Sequence, residues 1–213
     1  MTPADQSVEV ARICRLAAVI PVLVTKDAAG AAGLAAALIA GGLPALEVTL
    51  RTPAALEAIR RMADVPGGIV GAGTLLTPAD VKAAKAAGAR FGVSPGVTPR
   101  LLDACAEAEL PLLPGAATAS EIMALLEAGY TVQKFFPAEQ AGGVAYLKSI
   151  GAPIPQVSFC PTGGITLTKA RDYLSLPNIL CVGGSWVAPK DAVARGDWAA
   201  ITALAAEAAS LRS

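Results

Sequence analysis

A chain of 213 residues is long enough to bury the core of one domain, and its 17 Lys plus Arg against 17 Asp plus Glu leave a formal net charge of +0. That balance provides no basic field to hold a nucleic-acid backbone or an anionic membrane. The absence of any His removes Ser-His-Asp and Cys-His catalysis and the usual zinc sites, which leaves Lys, carboxylates, hydroxyls and backbone dipoles to carry any chemistry.

Hydrophobic residues make up 54% and aromatics only 4%, so the core is expected to consist of small and branched aliphatic side chains. No apolar run has the length and helical continuity of a membrane span. Met1-Thr2-Pro3-Ala4-Asp5 has no basic segment leading into an apolar one, and a soluble cytoplasmic protein is expected. Cys14, Cys105, Cys160 and Cys181 are widely spaced and read as reduced and buried.

In chain order, a helix over 7–16 precedes a strand over 18–25, and short β-branched runs then alternate with Ala-rich helical ones. Further strands are expected over 45–51, 68–74, 90–95, 111–115, 132–137, 156–161 and 179–184. Helices are expected over 29–40, 53–63, 78–87, 99–107, 119–128, 143–150, 167–174 and 198–211. Thr52-Pro53, Thr77-Pro78 and Thr98-Pro99 read as helix caps with Pro at the first helical position. Gly41-Gly42, Ala87-Gly88 and Ala128-Gly129 read as helix stops. The recurring unit of about 20–25 residues suits a right-handed β-α step. Eight near-equal units favour closure into a (β/α)8 TIM barrel with an extra N-terminal helix, a single domain over 1–213, rather than an open doubly wound sheet.

In such a barrel alternate strand residues point inward, and active sites form at the C-terminal strand ends. Over 45–51, Leu46, Val48 and Leu50 would meet the helices, so Glu47, Thr49 and Arg51 point inward. A carboxylate inside a barrel requires a partner or a task. An internal Glu47–Arg51 ion pair is disfavoured, because four strand residues separate the two by roughly 13 Å. Lys134 stands alone in the apolar run Val132–Pro137. Burial drives an amine toward its neutral, nucleophilic form, although a lysine reaching out to the rim is the plainer alternative. Lys26 competes but reads as a loop residue, and Lys82, Lys85, Lys148 and Lys169 read as solvated helix faces. Gly163-Gly164 and Gly183-Gly184-Ser185 end the seventh and eighth strands, where backbone N–H groups commonly bind phosphate in this fold. Thr74 and Pro95 end two other strands and read as cleft liners or plain turn residues.

Six segments then resemble the KDPG (2-keto-3-deoxy-6-phosphogluconate) aldolase family along nearly the whole chain. They are Leu46-Glu47-Val48-Thr49-Leu50-Arg51-Thr52, Gly71-Ala72-Gly73-Thr74, Ser94-Pro95-Gly96, Lys134-Phe135-Phe136-Pro137-Ala138-Glu139, Cys160-Pro161-Thr162-Gly163-Gly164-Ile165 and Gly183-Gly184-Ser185-Trp186. The resemblance implies that Lys134 forms a Schiff base and that Glu47 is the acid/base. Arg51 and Thr74 would bind the pyruvate carboxylate, and Gly163, Gly164, Gly184 and Ser185 the phosphate. Pro95, Phe135 and Thr162 would complete the substrate-binding set. It further implies a homotrimer, a phosphorylated 2-oxo sugar acid as substrate, 4-hydroxy-2-oxoglutarate as a side substrate, and no metal or cofactor. Thr162 with Ser185 favours the gluconate series over the galactonate epimer. A sugar-phosphate isomerase or epimerase and a non-catalytic phosphometabolite-binding barrel are the remaining alternatives. Metal-dependent epimerases call for His ligands, and a pure binder has no reason to bury a lysine beside a carboxylate.

Overall fold

The computed structural model describes residues 1–212. Strands alternate with helices as α1 (Pro3–Cys14), β1 (Val19–Leu23), α2 (Ala31–Ala40), β2 (Ala45–Thr49), α3 (Ala55–Ala63), β3 (Ile69–Gly73), α4 (Pro78–Ala86), β4 (Phe91–Val93) and α5 (Pro99–Glu107). They continue as β5 (Leu112–Leu113), β6 (Gly115–Ala116), α6 (Ala119–Glu127), β7 (Val132–Phe135), α7 (Gly143–Ile150), β8 (Ser158–Pro161), α8 (Leu167–Leu174), β9 (Val182–Gly184), α9 (Lys190–Arg195) and α10 (Trp198–Ala209). Among the described residues no helix is long and apolar enough to cross a membrane.

All strand pairs are parallel, in a sheet ordered β5-β4-β3-β2-β1-β9 and a second ordered β6-β7-β8. Parallel bridges Phe159–Ile179 and Thr162–Gly183 link β8 to the β9 segment. The expected strand over 111–115 is instead two short pieces, β5 and β6, on either side of Pro114. Proline has no N–H to give to a ladder, and the Pro114 carbonyl accepts from the Lys134 N–H at 2.8 Å. The segment thus bonds to β4 through β5 and to β7 through β6.

Side-chain alternation separates two apolar clusters, as a period of two residues requires. Leu46, Val48, Val70, Ala72, Leu112, Phe135 and Phe159 pack under the helices. Ile20, Ala45, Ile69, Phe91, Val93, Leu113, Val132 and Cys160 converge on the other side with Val10, Ala11, Ile13 and Cys14 of α1. Inner side chains of so many strands can meet only if the sheet curls, and α1 covers the N-terminal end of its concave side. Two buried polar residues of α1 complete strand edges there. Gln6 Oε1 accepts from the Leu112 N–H at 3.1 Å, and Ser7 Oγ accepts from the Thr131 N–H at 3.1 Å.

Helix α1 begins at Pro3 rather than near 7, because Thr2 and Asp5 form a capping box. Thr77 and Thr98 cap α4 and α5 as expected, accepting from the Asp80 and Leu101 N–H groups. Thr52 does not cap α3, which starts at Ala55 without a side-chain cap; its hydroxyl donates instead to the Thr25 carbonyl at the end of the neighbouring β-segment. Helix α9 over 190–195 was not expected, being too short to show a period.

Candidate active site

Glu47 lies in the middle of β2, and its inward direction follows from Leu46 and Val48 being committed to the helix side. Lys134 lies in β7 by the same logic, between Gln133, whose amide is bonded to the Ile122 and Tyr130 carbonyls, and Phe135, which is under the helices. The curl of the sheet brings the two together. Lys134 Nζ donates to Glu47 Oε1 at 3.3 Å, with the side chains 5% and 3% exposed. The alternative of a lysine reaching out to the rim is thereby excluded. Among the described residues Glu47 makes no ion pair with Arg51. Thr49, next along β2, is buried with its hydroxyl donating to the Leu23 carbonyl at 3.0 Å.

Two ring positions follow from the parity of β7. The Lys134 ammonium stands 5.1 Å from the centroid of Phe136, within cation–π range. Phe135 points the other way, fully buried and stacked on Tyr146 at 5.3 Å. Phe135 is therefore a core residue away from the lysine, and Phe136 is the aromatic wall that the sequence reading missed. The alternation that places Lys134 inward already places Phe136 with it.

The glycines of β3 make room on the concave side. A Cβ on Gly73 would lie 2.7 Å from Glu47 Cγ, and one on Gly71 would lie 2.5 Å from Phe91 Cε1. Gly73 was passed over in the sequence because its need arises only from a side chain on the neighbouring strand. At the strand ends above, exposed Arg51 and half-buried Thr74 meet, with Arg51 Nε donating to Thr74 Oγ1 at 3.3 Å. Thr74 has φ 62°, a strained conformation for a β-branched residue. Half-buried Pro95 follows Val93 with the same parity, at the rim of β4.

Across the mouth, Thr162 is buried and faces Gly183, where a Cβ would lie 2.9 Å from Thr162 Cγ2. Gly183, not Gly184, therefore supplies the inward clearance at β9. Gly184 instead lies beneath Trp186, whose Cη2 would be 2.6 Å from an added Cβ. Ser185 is exposed at the turn that follows. Gly163 and Gly164 adopt φ 111° and 75°, a left-handed pair that other residues rarely form. They lead into α8, capped by Thr166 accepting from the Lys169 N–H. Exposed N–H groups on such a turn before a helix can hold an anion.

The remaining nucleophiles stand apart from this arrangement. Lys26, Lys82, Lys85 and Lys148 are exposed. Lys169 is exposed on α8 as expected, and its ammonium also pairs with Glu139. All four cysteines are free and buried, and burial pushes the Cys105 thiol up to about 12. Among the described residues no group of three or more Cys, Asp or Glu side chains is placed to hold a metal ion.

A parallel α/β chain with a buried amine against a buried carboxylate inside the curled sheet, and glycine turns at the strand ends, is built as an enzyme acting on a small anionic substrate. A sequence profile of KDPG and KHG aldolase matches residues 10–204, and the chain belongs to that aldolase family. A 2-dehydro-3-deoxy-phosphogluconate aldolase of Pseudoalteromonas atlantica is 54% identical over 191 residues, covering 89% of each chain. The crystal structure of the 2-keto-3-deoxy-6-phosphogluconate aldolase of Zymomonas mobilis with 3-phosphoglycerate aligns with a TM-score of 0.92 at 51% identity, covering 96% of this chain and 97% of that one. The KDPG aldolase of Legionella pneumophila, with pyruvate captured at low pH as a covalent carbinolamine intermediate, aligns with a TM-score of 0.90 at 47% identity over 93% of this chain and 97% of that one.

Proposed function

We propose that the chain cleaves 2-dehydro-3-deoxy-6-phosphogluconate to pyruvate and glyceraldehyde 3-phosphate through a Schiff base on Lys134. The observation that carries this reading is the buried Lys134–Glu47 pair at 3.3 Å, which places a proton acceptor beside the amine. The neutral amine of Lys134 attacks the C2 ketone to give a carbinolamine, and loss of water leaves a cationic iminium. Loss of the C4 hydroxyl proton then sends the C3–C4 bonding electrons into that iminium, releasing the aldehyde and leaving an enamine. Protonation at C3 and hydrolysis return pyruvate and the free amine. Glu47, directly or through one water, handles the protons at these steps. Phe136 lies against the lysine, where its ring face favours the cationic states.

Arg51 and Thr74 suit the carboxylate end, since a guanidinium grips a carboxylate in a bidentate manner. Gly163, Gly164, Gly184 and Ser185 suit the phosphate end, with Thr162 favouring the gluconate series. The remaining parts of the reading are a closed eight-stranded barrel in one domain, a homotrimer, cytoplasmic location and a place in the Entner–Doudoroff route. The barrel is supported by counting β5 and β6 as one strand and by the bridges between β8 and β9. Borohydride with pyruvate tests the chemistry. A covalent adduct mapped to Lys134 is expected, and labelling at another lysine or none refutes it.

A further inference from the structure

Glu139 closes the segment that begins at Lys134, yet the reaction above gives it no task. Three sets of contacts converge on it. Its N–H donates to the Gly163 carbonyl at 3.2 Å, beside the Ala138 N–H donating to Thr162 at 2.9 Å. Its Cγ and Cβ lie 2.8 and 3.0 Å from where a Cβ on Gly164 would stand. Its carboxylate accepts from the Tyr173 hydroxyl at 2.6 Å and pairs with the Lys169 ammonium. Tyr173 and Lys169 stand four residues apart in α8, on one face of the helix that the glycine turn opens into. Lys169 first, then Tyr173, holds the Glu139 carboxyl below the usual carboxylate range, so it is ionised at neutral pH.

From this geometry we infer that Glu139 is a positioning residue for phosphate recognition, setting the Gly163–Gly164 turn and the first turns of α8 against the strand that carries Lys134. The inference rests on the reading of that turn as part of the phosphate end. A left-handed glycine pair has many accessible conformations, and ordering it costs backbone entropy. Glu139 holds it in place before substrate arrives, through its N–H to the Gly163 carbonyl and its packing on Gly164. Its negative charge is already neutralised by Lys169, so it need not repel a phosphate. Because Lys134 and Glu139 belong to one continuous segment, the tie also fixes the distance between the amine and the phosphate end.

The test is steady-state kinetics on the phosphorylated sugar acid and on 2-dehydro-3-deoxygluconate, with borohydride trapping of pyruvate. Glu139→Ala is expected to raise KM for the phosphorylated substrate by roughly tenfold, a change of about 1.4 kcal/mol, while kcat, pyruvate trapping and the unphosphorylated substrate stay near wild type. Tyr173→Phe is expected to shift KM in the same direction by less. Glu139→Gln keeps the packing on Gly164 and an acceptor for Tyr173, and is expected to restore most of the affinity. If Glu139→Ala fails to fold, as judged by thermal denaturation, the Tyr173→Phe and Glu139→Gln pair decides. Unchanged KM in Glu139→Ala (or in Tyr173→Phe where Glu139→Ala does not fold), or equal losses on both substrates, overturns the role of Glu139. Gly184→Val run alongside separates the two readings. If it discriminates between the substrates and Glu139→Ala does not, the phosphate end stands and the positioning role falls. If neither discriminates, both fall.

Discussion

Replacing Gly73 by Ala isolates the Glu47–Lys134 geometry without touching either residue. The new Cβ would lie 2.7 Å from Glu47 Cγ and 2.8 Å from its Cδ, and the nearest atom of all is Oε1, the oxygen that faces Lys134. Carbon atoms pack at about 3.5–4.0 Å, so the carboxylate must retreat by roughly 1 Å. The bond to Lys134 is already 3.3 Å, and that retreat takes it beyond hydrogen-bond reach. A displacement of about 1 Å at a catalytic group can cost on the order of a hundredfold, and full loss of general acid–base help lies between about 10²- and 10⁴-fold. The overpacking itself costs about 1–3 kcal/mol of stability, read as roughly 2–4 °C in Tm per kcal/mol for a chain of this size. Gly71→Ala is the matched control. Gly71 is the register partner of Glu47, but the nearest atoms to its added Cβ all belong to the Phe91 ring, at 2.5 Å for Cε1, so a similar Tm loss is expected with turnover kept. The assays are kcat/KM for cleavage, the rate of pyruvate trapping and thermal denaturation. Gly73→Ala with wild-type turnover, or equal catalytic losses in both variants, would falsify the claim that Gly73 exists to admit Glu47.

Lys134→Arg is expected to abolish both cleavage and borohydride trapping while the protein stays folded, because a guanidinium remains protonated and cannot attack a ketone; any trapped adduct in this variant moves the nucleophile elsewhere. Glu47→Gln should slow turnover by roughly two to four decades yet still trap pyruvate at a reduced rate, and a collapsed denaturation curve would make Glu47 structural instead. Arg51→Ala should weaken pyruvate trapping itself, since the contact with the carboxylate is lost whatever the other half of the substrate carries. Gly184→Val should displace Trp186 and mainly impair the phosphorylated substrate; matching losses in both variants across phosphorylated substrate, dephosphorylated substrate and pyruvate would show that the mouth is not divided in this way.

Alternation along β2 and β7 is a local property, readable from a few consecutive residues. By itself the sequence therefore determined that Glu47 and Lys134 face one side, that Thr77 and Thr98 start helices, and that Gly42, Gly88 and Gly129 end them with positive φ. The same alternation, applied one residue further, separates Phe136 from Phe135. What the sequence did not decide was which inward residues meet. Glu47 and Lys134 are 87 residues apart, and only the strand order and the curl of the sheet close that gap. The clearance at Gly73 and the grip of Glu139 on the Gly163–Gly164 turn arise from the same long-range placement. Likewise, Thr52 has the same Thr-Pro pattern as Thr77 and Thr98, yet its hydroxyl goes to Thr25 because the end of a neighbouring strand offers a carbonyl. A side chain's direction follows from its immediate neighbours in the chain, whereas its partner depends on register and closure, which only the packed sheet sets.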